Sequence, residues 1–195
     1  GDLRGRLKLL SQGVPNYFGP QRFGQNGGNL VAADKMLKRE NRPPGKHLKG
    51  LYLSSARSYL FNLVLSDRVT DGSWSSAETG DLLISAGVYD QNTFPTGPLW
   101  GRGRIATKGR IASIENNVAR HFSQWHHGLE HSGLQQQRRP LCLLPEALQW
   151  TLHKDELGLE FVLPPGGYAT SVIRELCAYE DVGQLQAKTR RGELS

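Results

Sequence analysis

Two short segments near the end of the chain alternate polar and apolar residues, and this alternation constrains the fold more than any other pattern. The segments are EALQWTLH, residues 146–153, and GLEFVLP, residues 158–164. A period of two places the apolar side chains on one face of an extended strand. The KDELG sequence at residues 154–158 can turn the chain between them. We therefore predict a β-hairpin.

Helical periodicity dominates much of the remaining chain. Asn29 is positioned to cap one helix, and Ser54 or Ser55 to begin another. Residues 70–104 are rich in Gly, Pro, Ser and Thr and are predicted to form short strands and long loops. The predicted helices cover residues 2–12, 30–40, from Ser54 or Ser55 to about 68, about 110–124, and a last helix within PPGGYATSVIRELCAY, residues 164–179. The chain is therefore a mixture of α and β elements.

The chain is long enough, at 195 residues, to bury a core as one large domain or two small ones. It carries 24 Lys plus Arg against 18 Asp plus Glu, a formal net charge of +6 and a pI of about 9.5. This balance favours an anionic partner such as nucleic acid.

Cysteine, histidine and serine patterns exclude several other classes of site. Cys142 and Cys177 form neither a disulfide framework nor a zinc pattern, which favours a reducing cytoplasm. His127 and His131 flank Glu130 without the HExxH order, so we expect surface histidines and no metal. No GxSxG sequence supports a hydrolase triad. We find neither a membrane span nor a signal peptide.

The sequence NYFGPQRFGQNGG, residues 16–28, places three aromatic rings and one arginine beside a glycine-rich turn. Tyr17, Phe18 and Phe23 can stack on unpaired bases or fill a core. Arg22 can clamp a phosphate or stack on a base. The glycines at 24, 27 and 28 would let backbone amides approach a phosphate, although no GxxxxGK[ST] sequence follows.

Two further places carry candidate RNA contacts. The sequence WGRGRIATKGR, residues 100–110, contains four cations and no acid, which suits either a phosphate backbone or a solvated loop. Arg174, in YATSVIREL, can reach a phosphate or a carboxylate, or lie exposed on its helix. The four cations are Arg102, Arg104, Lys108 and Arg110.

Four sequences, in this order, closely resemble the TruD family of tRNA pseudouridine synthases. They span nearly the whole chain up to about Tyr179. The resemblance implies an α+β fold: a pseudouridine-synthase catalytic domain on a mainly antiparallel sheet, interrupted by a mostly helical insertion domain. The four are GVPNYFGPQRFG (13–24), SSARSYLFN (54–62), GPLWG (97–101) and LPPGGYATSVIREL (163–176).

The resemblance also implies an activity and a site. The expected substrate is a uridine in tRNA, position 13 in the usual scheme, isomerised to pseudouridine without cofactor or metal. Extraction of that uridine from folded RNA requires stacking surfaces and phosphate contacts. Arg102, Arg104, Lys108 and Arg110 are expected to hold the RNA backbone. The expected substrate-binding residues are Asn16, Tyr17, Phe18, Gln21, Arg22, Phe23 and Arg174.

The family's nucleophile, the aspartate of a GxKD motif, is not assigned in this chain. Lys154 and Asp155 have the right order, but Leu152 stands where the motif needs glycine and the pair lies in the predicted hairpin turn. We expect the family's aspartate to lie upstream of residue 1. The chain begins with Gly1 and its only methionine is Met36, which agrees with the C-terminal part of such an enzyme, inactive alone.

The expected domains are residues 1–22 and 143–182 from the catalytic domain, residues 23–142 from the insertion domain, and a flexible tail at 183–195. The alternative function is a non-catalytic RNA-binding module on the same scaffold, and a purely structural interaction domain is a third. The expected partner is tRNA, with no membrane. The oligomeric state is unassigned, although an exposed sheet edge invites association with another chain.

Overall fold

The computed structural model describes residues 2–40, 44–88 and 92–178, in which six α-helices and seven β-strands lie. The helices are α1 Leu3–Leu10, α2 Gly28–Leu37, α3 Lys46–Thr70, α4 Gly109–His121, α5 Ser123–Glu130 and α6 Ala169–Leu176. The strands are β1 Val14–Pro15, β2 Leu83–Ser85, β3 Thr93–Leu99, β4 Gln137–Pro140, β5 Cys142–Leu143, β6 Glu146–His153 and β7 Glu156–Val162.

The strands form three small antiparallel sheets. One has the order β2-β3-β4, one pairs β1 with β5, and one is the β6-β7 hairpin. The predicted hairpin is confirmed, with Trp150 opposite Leu159 and His153 opposite Glu156. Helices combined with antiparallel sheets confirm the α+β class.

A helical core forms where α2, α3, α4 and α5 pack together. Leu60 and Leu129 have no exposed surface, and Trp100, which follows β3, is also fully buried there. Burial of these side chains is the main stabilisation of this part of the molecule, at about 1.5–3 kcal/mol for each large aliphatic side chain.

A second core lies between α1, α6 and the β1-β5 pair. Leu7, Leu143 and Val172 are fully buried in it, and the apolar face of the hairpin covers it. The domain boundaries at 22, 142 and 182 stay a prediction. Residues 179–182 and the tail 183–195 lie outside the part of the chain that the structure describes.

A third and smaller cluster joins the segment after β1 to α3. It consists of Phe18, Phe61, Leu65 and Leu141, with Tyr168 packed against it. Gly97 in β3 makes room for this cluster, since a Cβ there would lie 2.9 Å from Cε2 of Phe61. The candidate site is built on this cluster.

Two predicted helix starts are wrong. Helix α3 begins at Lys46, eight residues before Ser54, so Ser54 and Ser55 lie inside the helix and do not cap it. The Ser54 hydroxyl accepts a hydrogen bond from Arg22 Nη1, and the Ser55 hydroxyl donates to the carbonyls of Leu51 and Arg22. Helix α2 begins at Gly28 behind Gly27, whose φ of 75° is left-handed, and the Asn29 amide contacts the Arg22 carbonyl at 3.5 Å.

The single helix predicted over residues 110–124 is two helices. Phe122 interrupts it with φ −110° and ψ 43°, between α4 and α5. Its ring packs against Tyr59 and Trp125, with centroid distances of 5.8 and 5.5 Å. This tertiary packing outweighs the helical preference of the local sequence.

Candidate functional site

The loop after β1 is held by hydrogen bonds from three directions. The Asn16 backbone amide donates to the Leu141 carbonyl, and its side-chain amide donates to the Pro140 carbonyl, both at 2.8 Å. The Asn62 amide on α3 accepts from the Phe18 backbone N–H at 2.9 Å and donates to its carbonyl at 3.1 Å. On α6, the Ser171 hydroxyl donates to the Tyr17 carbonyl at 2.7 Å. The loop is thus fixed to β4, α3 and α6 at once.

Phe18 lies at the centre of the loop and is nearly buried, with 8% of its surface exposed. Its ring meets Phe61 and Tyr168 edge to face, with centroid distances of 5.5 and 5.8 Å. Two guanidinium carbons lie over it, that of Arg139 at 4.1 Å and that of Arg22 at 5.4 Å. We call Phe18, Tyr168, Arg22 and Arg139 the arginine–aromatic cluster.

Arg22 bridges two elements that are distant in sequence. Its Nε donates to the Tyr168 hydroxyl at 2.9 Å, just before α6, and its Nη1 donates to the Ser54 hydroxyl on α3 at 3.0 Å. Among the described residues no carboxylate pairs with it. Its charge is therefore available to an anion that approaches the cluster.

Arg139, which sequence reasoning missed, is the second cation of the cluster. Its Nε and Nη2 approach the Asn16 carbonyl at 3.4 Å, and Nη2 also contacts the Asn16 amide oxygen. Burial lowers the pKa of Arg139 to about 10, so the guanidinium stays charged at neutral pH. Arg22 also lowers this pKa, and the Tyr168 hydroxyl raises it.

A signal for Arg139 does exist in the sequence. Neighbouring residues of a strand point to opposite faces, so the two arginines that precede Pro140 cannot share one environment. Arg138 turns toward β3 and α4, where it pairs with Glu115 at 2.8 Å and donates to Thr96. Arg139 turns toward Asn16 and Phe18.

The other predicted substrate-binding residues occupy different positions around the cluster. Arg174 lies over the Tyr17 ring, with its guanidinium carbon 4.6 Å from the centroid. Its nearest carboxylate among the described residues is that of Glu175, at 3.9 Å. Gln21 is exposed, whereas Phe23 turns away and meets Tyr59 edge to face at 6.3 Å. The structure therefore brings Asn16, Phe18 and Arg22 together, with Tyr17 and Arg174 held to the same loop through α6.

The basic loop after β3 is mostly exposed. Arg102, Arg104 and Lys108 lie on the surface, and Gln135 runs beside Arg102. Arg110 differs, because it pairs with both Asp71 and Glu78, so two carboxylates already offset its charge. A phosphate would have to compete with these carboxylates at Arg110.

Arg57 anchors this loop from below and was also missed by sequence reasoning. Its Nη2 donates to the carbonyls of Leu99 and Gln135, at 2.8 and 3.0 Å. Burial lowers the pKa of Arg57, and no described carboxylate pairs with it. The guanidinium thus adds a positive charge next to Gln135, the residue that pairs with Arg102.

Neither a metal centre nor a membrane helix is found in the part of the chain that the structure describes. No group of three or more His, Cys, Asp or Glu residues within 2–40, 44–88 and 92–178 could hold a metal ion. The rings of His127, on α5, and His131, just after it, are exposed and lie 4.2 Å apart with their planes tilted by 40°. No described helix is both long and apolar enough to cross a membrane.

Comparison with known sequences gives one consistent result. The profile of the family described as tRNA pseudouridine synthase D (TruD) matches residues 42–176. A tRNA pseudouridine synthase D from Shewanella oneidensis is 40% identical over 205 residues, covering 96% of this chain and 55% of its own length. One from Aeromonas hydrophila is 41% identical, covering 92% of this chain and 56% of its own length. The chain thus spans about half the length of these relatives.

Comparison with solved structures supports the fold. A crystal structure from Methanosarcina mazei, named as a tRNA pseudouridine synthase D, superposes with a TM-score of 0.61 at 20% identity. The superposition covers 89% of this chain and 63% of that one.

Proposed function

Because the chain belongs to the TruD family of tRNA pseudouridine synthases, we propose that its arginine–aromatic cluster forms one wall of a site that holds a uridine of tRNA for isomerisation to pseudouridine. The observation that carries the proposal is the contact of two guanidiniums, neither paired with a carboxylate of the described residues, with the rings of Phe18 and Tyr168. Aromatic faces and planar guanidiniums are the groups on which unstacked RNA bases bind.

The energetics of base extraction support this assignment. Removing a base from its stack costs a few kcal/mol, and the protein must offset that cost at the point where the base is received. Stacking on an aromatic ring returns about 1–3 kcal/mol for each base. Because Phe18 is nearly buried, the rings of Tyr168 and Tyr17 are more accessible to a base. The Phe18 ring instead packs against the guanidiniums of Arg22 and Arg139.

The guanidinium of Arg22 has a defined role in the proposal. It is already oriented by Tyr168 and Ser54, so binding does not have to order a flexible side chain. Its planar donors suit a phosphate oxygen or a uracil carbonyl. Arg174, over the Tyr17 ring, supplies a third cation on the α6 side of the same loop.

The exposed cations of the basic loop are proposed to hold the body of the tRNA. Arg102, Arg104 and Lys108 would make sequence-independent phosphate contacts, which weaken as salt is raised. Arg110 is proposed as a weaker contact because Asp71 and Glu78 hold it. For a protein that acts on tRNA we propose a cytoplasmic location. The proposed surface for association with another chain is an outer edge of the two-stranded β6-β7 hairpin.

This polypeptide is proposed to bind tRNA without isomerising it. Its Lys154-Asp155 pair occupies the turn of the β6-β7 hairpin and lacks the glycine of the GxKD motif. The alternative of a non-catalytic RNA-binding module rests on the same observation. The synthase and the non-catalytic module are distinguished by joining this chain to a segment that carries the GxKD motif. The joined protein should modify tRNA if the chain is part of a synthase, and should not if it is a non-catalytic module.

The proposal is tested by filter binding and by a pseudouridine assay on one unmodified tRNA transcript. We expect this polypeptide to bind tRNA at low salt, to bind it much more weakly as salt rises, and to form no pseudouridine. Arg22→Gln should bind tRNA at least about tenfold more weakly, because a charged hydrogen bond to the RNA is lost. Arg4→Gln, which removes a charge from the exposed surface of α1, is the matched control and should bind nearly as well as wild type. Absence of tRNA binding at low salt would overturn the proposal.

A further inference from the structure

The cleft beside the arginine–aromatic cluster has no assigned ligand. It encloses about 280 Å³, close to the lower end of the size range of small-ligand sites. Asn16, Arg138 and Arg139 line it on the β4 side, and Pro164, Pro165 and Gly167 on the side of the turn before α6. None of the described residues that line it is acidic.

The two arginines of this cleft differ in their charge balance. Glu115 neutralises Arg138, with Nη2 and a carboxylate oxygen 2.8 Å apart, and the Glu115 side chain is fully buried. Arg139 has no carboxylate partner among the described residues. The lining therefore carries one positive charge that no carboxylate of the described residues offsets.

The geometry of Arg139 leaves part of its guanidinium unused. Nε and Nη2 are directed at Asn16, while no described acceptor bonds to Nη1. Nη1 is near the turn before α6, since a Cβ at Gly166 would lie 3.3 Å from it. Gly166 has a φ of 84°, so that turn favours glycine, and the absence of a side chain keeps the approach to Nη1 open.

We propose that Arg139 and this cleft bind one phosphodiester group of the RNA strand whose uridine enters the arginine–aromatic cluster; this rests on the proposed function. A phosphodiester carries a single negative charge, which matches the one cation of the cleft lining that no described carboxylate pairs with. The Asn16 contacts and the face of Phe18 hold the guanidinium plane, so Nη1 is oriented before the RNA arrives. The site would thus fix the strand next to the extracted nucleotide.

The salt dependence of tRNA binding distinguishes this role from a purely structural one. Loss of one phosphate contact reduces the slope of log K against log salt concentration by about 0.7, the value for single strands. We expect this reduction for Arg139→Gln, together with at least about tenfold weaker binding at low salt. Arg4→Gln, which removes an equal charge from the surface of α1, should leave the slope unchanged.

A second measurement starts with the wild-type protein, so its first result does not depend on the folding of a variant. Phosphodiesters around the target uridine are replaced one at a time by neutral methylphosphonates. We expect one replacement to weaken wild-type binding at least about tenfold. The same replacement should not weaken binding further in Arg139→Gln. If Arg139→Gln does not fold, the replacement should weaken the binding of Arg139→Lys less than that of wild type.

Three outcomes would overturn the inference. They are an unchanged salt slope in folded Arg139→Gln, no sensitive linkage near the uridine, or a sensitive linkage whose effect is undiminished in the Arg139 variants. In each, wild-type protein still binds tRNA, so the proposed function stands. Wild-type protein that does not bind tRNA would instead reject the proposed function itself.

Discussion

The Nε of Arg22 donates a 2.9 Å hydrogen bond to the hydroxyl of Tyr168, across 146 positions of sequence. This bond ties the loop after β1 to the start of α6. Tyr168→Phe keeps the ring and removes the acceptor, so we expect the free energy of unfolding to fall by about 0.5–1.5 kcal/mol, measured by urea denaturation. Because the Arg22 charge remains, tRNA affinity should fall less than in Arg22→Gln. An equal loss in both variants would contradict the assignment of the RNA contact to Arg22.

A second prediction concerns the buried ion pair between Arg68 and Asp81. Both side chains are 1% exposed, and two hydrogen bonds of 2.8 and 3.0 Å join them. Arg68→Met leaves the buried Asp81 carboxylate without its partner, so we expect the free energy of unfolding to fall by about 3–5 kcal/mol. The exposed Lys38–Asp34 pair is the control. Lys38→Ala should lower the free energy of unfolding by less than about 1 kcal/mol, with both variants measured by urea denaturation. Similar losses for the two variants would show that the Arg68 pair is not desolvated.

A third prediction explains one glycine of the GPLWG sequence. A Cβ on Gly101 would lie 2.6 Å from the Leu134 carbonyl oxygen and 2.7 Å from the Gln135 carbonyl carbon. Both are backbone atoms, so Gly101→Ala must displace residues 134–135 and should destabilise the protein by about 1–3 kcal/mol. At Gly50, exposed in α3, a Cβ meets nothing within 4 Å. Gly50→Ala should stabilise the protein by about 0.4–1 kcal/mol, as measured by thermal denaturation. A lower stability of Gly50→Ala than of wild type would contradict the assignment of residue 50 to α3.

A fourth prediction concerns the two cysteines. Cys142 is fully buried, and burial raises the pKa of its thiol to about 12, whereas Cys177 is exposed. At pH 8 iodoacetamide should alkylate Cys177 and leave Cys142 unmodified until urea unfolds the protein, as followed by mass spectrometry. Because the folded pKa is raised, the stability that the buried thiol contributes is present below pH 9.0 and is lost as pH rises toward about 12. Equal labelling of both thiols in the folded protein would contradict the burial of β5.

The elements that sequence could predict are those with a strong local pattern. The hairpin followed from alternation because Leu157, Leu159 and Phe161 cover a core while the residues between them face outward. Helix α3 was misplaced because Ser54 and Ser55 have the side chains of a helix cap but bond to a tertiary partner, Arg22. A capping preference is a local rule, and a distant arginine can override it.

The site was predicted in part for the same reason. Asn16, Phe18 and Arg22 belong to one motif, so proximity in sequence indicated proximity in space. Arg139 joins them only because β5 pairs with β1 and brings the preceding β4 residues beside Asn16. Strand alternation separates Arg139 from Arg138, but it does not tell which of the two lies beside Asn16 and which pairs with Glu115. A contact between residues 123 positions apart becomes visible only in the fold.

The most direct test of the account is photocrosslinking from the proposed target nucleotide. A tRNA transcript with a single 4-thiouridine at position 13 is bound to the protein, irradiated, and the crosslinked peptides are identified by mass spectrometry. We predict crosslinks within residues 16–23 or at Tyr168, and their loss when the same nucleotide is placed at a distant uridine. Crosslinks confined to residues 100–110, with none at the arginine–aromatic cluster, would contradict the assignment of this cluster to the uridine.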